Sequence, residues 1–114
     1  MITIYHNPRC TKSREGLQEI ENTNRPFTIR KYFDELFTKA ELVELIRKLQ
    51  IEPIQLVRTK EPAWIEHFKS KSLKNEEIIE ALLANPKLIE RPIIVLDDKA
   101  VIGRPKEKIS ELLK

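Results

Sequence analysis

The chain has 114 residues, 40% of them hydrophobic and 34% charged, with a formal net charge of +3. That length suits one domain around a single core, and so mild a positive charge gives no ground for nucleic-acid binding. The longest apolar run, Ile93–Leu96, is the size of a strand rather than a membrane span, and a single cysteine, Cys10, excludes an internal disulfide.

The N-terminus enters directly into Ile2-Thr3-Ile4-Tyr5, whose alternation and β-branched or aromatic residues predict a strand. No charged leader or apolar signal core precedes it, so cytoplasmic residence is expected. His6-Asn7-Pro8-Arg9 reads as a loop, with Pro8 blocking further sheet pairing. From Thr11 to about Glu21 the pattern turns helical, with Leu17 and Ile20 on one face. Cys10 therefore falls where a loop meets a helix N-terminus. Pro26 and the run Phe27–Tyr32 predict a second strand, and strand–helix–strand implies a parallel pair.

Thr38-Lys39-Ala40-Glu41 is a capping box, and behind it Leu42, Leu45, Ile46 and Leu49 mark the inner face of a helix. Pro53 opens a short helix and Pro62 another, the latter carrying Trp64, Ile65 and Phe68. Asn75 is the expected N-cap of a fourth, with Ile78, Ile79, Leu82 and Leu83 facing inward before Pro86 stops it. Residues from about 38 to 86 thus read as an all-helical insert. Ile93–Leu96 and Lys99–Ile102 flank an Asp97-Asp98 hairpin turn. Gly103-Arg104-Pro105 leads into a last helix, with Pro105 expected at its first position and Ile109, Leu112 and Leu113 inward. The order is βαβ, a helical insert, then ββα: a single mixed α/β domain over residues 1–114.

The chemistry centres on Cys10. A lone cysteine is usually a small buried hydrophobe, but this one has polar neighbours and sits at a helix start. Unpaired N–H groups and the helix dipole there favour an anion. Arg9, Lys12 and Arg14 crowd around it. These features favour the thiolate, which is the nucleophile. Backbone N–H groups from Thr11, Lys12, Ser13 and Arg14 would also cradle an oxyanion, so nucleophile and anion site share one loop. Ser13 stands where a dithiol oxidoreductase carries its second cysteine, so any adduct must be resolved by an external thiol. Its hydroxyl could support the thiolate or serve as an ordinary first-turn serine. His6 could raise the thiolate fraction as an imidazolium, or be a plain loop histidine. No Cys/His cluster has zinc spacing, and no metal is expected.

The segment Tyr5-His6-Asn7-Pro8-Arg9-Cys10-Thr11-Lys12-Ser13-Arg14 closely resembles the active-site loop of glutaredoxin-coupled bacterial arsenate reductases. Leu56–Glu61, Asn85–Ile93 and Ile102–Pro105 are similar to that family too, in order and spacing along nearly the whole chain. The resemblance implies a thioredoxin-like fold and three arginines, Arg58, Arg91 and Arg104, gathered at the catalytic Cys10, with His6, Asn7, Ser13 and Pro92 in support. Guanidinium groups stay charged and fork onto paired oxyanion oxygens, which suits that role. Arg91-Pro92 matches the position of the fold's cis-proline, so a cis bond is expected there.

The implied activity is reduction of arsenate. Cys10 attacks arsenic, and glutathione then attacks the adduct. Glutaredoxin supplies the second reducing equivalent, and arsenite leaves. No bound cofactor is implied, glutathione being a co-substrate, and a monomer is expected. Two other readings share the loop. A monothiol redox protein with another substrate would use the same chemistry. An Spx-type regulator binding RNA polymerase would usually carry a Cys-x-x-Cys switch, which Ser13 removes.

Overall fold

The computed structural model describes residues 1–68 and 71–114, and the stretch expected as a helical insert runs across the two residues outside that description. Two compact units emerge, one formed by Met1–Glu35 with Arg91–Lys114 and the other by Leu36–Glu90.

The first unit carries the sheet. Strands β1 (Ile2–Tyr5), β2 (Phe27–Arg30), β3 (Ile93–Leu96) and β4 (Lys99–Ile102) lie in the order β2-β1-β3-β4. β1 runs parallel to β2 through helix α1 (Thr11–Glu21), and antiparallel to β3, which forms a hairpin with β4. The register sets Ile4 opposite Ile29 on one side and Ile94 on the other. Period-two alternation sends Ile2 and Ile4 to one face, where they cluster with Ile20 of α1, Ile94, and Ile109 of helix α5 (Glu107–Leu112). All five isoleucines are buried. This is the thioredoxin-like βαβ and ββα plan that the sequence predicts.

The second strand is shorter than expected, ending at Arg30, and Tyr32 sits in a turn with its ring fully buried. The last helix begins two residues after Pro105 rather than at it. Before it, the Lys108 N–H donates to the Pro105 carbonyl at 3.1 Å and the Ile109 N–H to the Lys106 carbonyl at 3.0 Å, i→i+3 bonds that precede the α-helix. The Arg91–Pro92 bond is cis, as expected, and so is Arg104–Pro105, which the sequence reading did not anticipate.

The second unit contains α2 (Lys39–Leu49), α3 (Pro62–His67), α4 (Asn75–Ala84) and two 3-10 turns at Pro53–Leu56 and Pro86–Leu88. The capping box at α2 forms as expected: the Glu41 N–H donates to Thr38 Oγ1 at 3.1 Å, and the Thr38 N–H to Glu41 Oε1 at 2.9 Å. At α4 the cap is Lys74, not Asn75, because Glu77 reaches back to accept from the Lys74 N–H at 2.9 Å. Leu42, Leu45, Ile46, Leu56, Ile78, Leu82 and Leu88 are buried. Among the described residues of this unit, one antiparallel bridge joins Val57 to Ile89, closed by Arg58 N–H to Leu88 O and Glu90 N–H to Leu56 O. No helix among the described residues is long and apolar enough to cross a membrane.

Candidate active site

The loop between β1 and α1 is tied by its own polar groups. Asn7 Oδ1 accepts from the Arg9 N–H at 3.1 Å, and the Asn7 carbonyl accepts from the Cys10 N–H at 3.0 Å. These bonds turn the chain so that Cys10 becomes the N-cap of α1 with extended backbone, φ −97° and ψ 124°. An N-cap side chain faces the first free amides of its helix. Here that side chain ends in sulfur.

Partial burial pushes the Cys10 thiol up, but the hydrogen bond from Arg91, the backbone N–H groups of Ser13 and Lys12, and the Arg91 charge together bring it below the ordinary thiol range. Arg104 adds a further contact, with Nη2 3.6 Å from Sγ. Arg104 also donates through Nε to the Arg91 carbonyl at 2.5 Å, so one guanidinium spans the sulfur and the residue before Pro92. Burial opposes the charge of Arg91, yet the Cys10 thiolate and the neighbouring Tyr32 phenol outweigh it and raise its pKa further. The result is a partly exposed thiol of lowered pKa at a helix N-terminus with two arginines beside it.

Pro92 packs against α1 at its glycine. A Cβ added at Gly16 would lie 2.7 Å from Pro92 Cγ and 3.3 Å from Ile109 Cδ1. Only a residue without a side chain lets the helix approach that closely.

Several expectations change on inspection. The lowered pKa comes chiefly from Arg91 and the amides of Ser13 and Lys12, not from the side chains of Arg9, Lys12 and Arg14. Arg14 instead turns its guanidinium to the Pro8 carbonyl at 2.9 Å and Thr11 Oγ1 at 3.2 Å, bracing the loop. Its N–H is not available to an oxyanion either, since it donates to the Cys10 carbonyl at 3.0 Å as the first turn of the helix closes. The anion-facing amides are therefore those of Thr11, Lys12 and Ser13, the first three helical residues.

Ser13 is fully buried, and its hydroxyl is engaged away from the sulfur: Oγ accepts from the Asn7 N–H at 3.0 Å and lies 2.7 Å from His6 Nδ1. It serves the thiolate through its backbone N–H. His6 is likewise buried; desolvation, then Lys31 and Arg14, lower its pKa. It is neutral near pH 7, so the imidazolium role does not apply, and what it does is hold Ser13. Arg58 belongs to the second unit, where Nη1 donates to Glu61 Oε2 at 3.0 Å and Nε lies 3.9 Å from Glu90 Oε1. Two contributors escaped the sequence reading. A glycine inside a helical pattern is itself a sign of close approach, which Gly16 fulfils. Tyr32, beside Arg91, left no local sign.

The sequence profile of the ArsC family matches residues 5–112, almost the entire chain. The chain belongs to the ArsC family. Among its ArsC relatives is the arsenate reductase of Haemophilus influenzae, 40% identical over 98% of this chain and 98% of that protein. The Escherichia coli protein YfgD, described as uncharacterized, is 39% identical over 98% of this chain and 96% of its own length. Among solved structures, the arsenate reductase from Vibrio cholerae superimposes with a TM-score of 0.92 at 38% identity, covering 96% of this chain and 95% of that one.

Proposed function

We propose that this protein is an arsenate reductase that uses Cys10 as nucleophile. The observation that carries the reading is the Cys10 sulfur at the N-cap of α1, its pKa lowered chiefly by Arg91, with Arg104 Nη2 at 3.6 Å. The relatives' names supply the oxyanion.

Arsenate docks against the α1 amides and the guanidinium groups. The thiolate attacks arsenic: a sulfur–arsenic bond forms, an arsenic–oxygen bond breaks, and the oxygen takes up a proton and leaves as water. Arsenic is still pentavalent at this point. Two external thiols, one from glutathione and one from glutaredoxin, then give up two electrons and become a mixed disulfide. Arsenic falls to the trivalent state and leaves as arsenite carrying both thiol protons, and Cys10 returns as thiolate. The chain's lack of a second cysteine supports this outside supply. Arg91 and Arg104 offset oxyanion charge on binding and as it redistributes in the attack. Arg58 is assigned the third arginine position because its segment resembles the family's. A lone cysteine with no internal disulfide partner suits the cytoplasm.

The test is arsenate-dependent NADPH oxidation in the presence of glutathione, glutaredoxin and glutathione reductase. Wild type is expected to turn over and Cys10→Ser to be inert. Arg91→Ala and Arg104→Ala should lose turnover by far more than they lose stability. No arsenate-dependent oxidation by wild type would overturn the reading. Retention of glutathione-dependent thiol chemistry in that case would point to a monothiol redox protein.

A further inference from the structure

A groove of about 220 Å³ opens between the first turn of α1 and the segment after β4, with Arg104 in its wall. Its charged lining consists of Lys12, Glu15, Arg104, Lys106 and Glu107. Arg104 is the wall shared with the nucleophile, at 3.6 Å from Sγ. A ligand in this groove would touch the arginine that contacts the reacting sulfur.

The lining is mixed in sign. Three cations and two carboxylates face one small space, for a net charge of +1. Arsenate alone would call for cations only; carboxylates repel it. Mixed lining suits a zwitterion. Glutathione near neutral pH carries two carboxylates and one ammonium group, a net charge of −1 that matches the groove both in sum and in kind. The side chains are free to re-pair: Lys12 and Glu15 are bridged at 3.7 Å and about half exposed, and Lys106 is held at 3.7 Å by Glu19 with over half its own surface in solvent. Exposed ion pairs of this kind contribute little, so exchange for a ligand's charges costs little.

We propose that this groove seats the thiol tripeptide, with its carboxylates on Lys12 and Lys106 and its ammonium on Glu107, so that its sulfur reaches Cys10 past Arg104. This rests on the reading of Cys10 as a thiol nucleophile supplied from outside, and it names where that supplier lies.

The test avoids arsenate, so that it stands apart from the substrate assignment. Cys10 thiolate attacks glutathione disulfide; a Cys10–glutathione disulfide forms and one glutathione thiolate leaves, a mass change read by mass spectrometry over time. Lys106→Glu is expected to slow this reaction at least fivefold. Lys108→Glu makes the same charge change at an exposed residue outside the groove and should alter it less than twofold. Two other disulfides serve as probes: 2-hydroxyethyl disulfide, which is neutral, and dithiodipropionate, which has the net charge of glutathione disulfide but no ammonium. The first should be indifferent to Lys106→Glu, which also reports an intact fold. The second should slow less than glutathione disulfide does, and it should ignore Glu107→Gln, which slows glutathione disulfide alone. Equal slowing of both anionic disulfides, equal effects of the Lys106 and Lys108 changes, or no effect on glutathione disulfide would each overturn the proposal. An inactive arsenate assay with the expected disulfide pattern would overturn the substrate reading and leave the groove assignment standing.

Discussion

Replacing Ser13 by alanine deletes a buried oxygen on which two other buried groups depend. Asn7 N–H loses its acceptor at 3.0 Å and His6 Nδ1 its partner at 2.7 Å. Both residues are less than a tenth exposed, so water does not readily replace the hydroxyl. A buried polar group left unsatisfied costs about 1–3 kcal/mol, and two of them make about 2–4 kcal/mol after partial relaxation. Alanine's better helix propensity returns only about 0.5 kcal/mol. The loss wins. At an m-value of about 2 kcal/mol/M, the urea midpoint should fall by about 1–2 M. The Ser13 N–H remains in Ser13→Ala, so the thiol should keep most of its acidity provided the loop holds its shape. Pairing the change with His6→Ala should cost less than the two separately, because both remove the same bond.

The same network predicts a pH signature. His6 has a folded pKa below its unfolded value of about 6.5. Its contribution is therefore complete above about pH 6.5 and drains away as pH falls through the lower folded value. His6→Gln should flatten stability against pH in that window. A Ser13→Ala loss under about 0.5 kcal/mol, measured by urea unfolding followed by circular dichroism, would refute the claim that this hydroxyl holds the loop.

Two further outcomes can be checked directly. The pH dependence of Cys10 alkylation by iodoacetamide should show a midpoint below that of a free thiol, and Arg91→Ala should raise it; Arg14→Ala, whose guanidinium faces Pro8 and Thr11 instead, should move it far less. Gly16→Ala sets about 1–3 kcal/mol of overpacking against Pro92 against about 1 kcal/mol of helix propensity, so the melting temperature should drop by several degrees, and a rise would refute the tight packing.

The order of elements was legible because each rests on a local pattern. The alternation of Ile2–Tyr5, the Thr38–Glu41 box and the α2 leucine spacing all appear where the residues place them. Boundaries moved by a residue or two where local hydrogen bonds re-set an element's end. α5 starts at Glu107 rather than Pro105, behind i→i+3 bonds to the Pro105 and Lys106 carbonyls. Asn75 yields the cap to Lys74 because Glu77 reaches one residue further back. At the site, the helix-start position of Cys10 could be read from its neighbours, but the approach of Arg104 across 94 residues of sequence could not. Only the resemblance pointed to it. The charges nearest in sequence misled: Arg14 braces the loop and burial discharges His6.

One arrangement carries an antagonism within it. The amides of Lys12 and Ser13 that ease ionisation of the sulfur are also among those an incoming oxyanion would seek. Two negative charges then contend for a single positive pole, so each anion weakens the hold on the other, and linkage makes the penalty mutual. A tightly held inert oxyanion should therefore blunt the very nucleophile it sits beside.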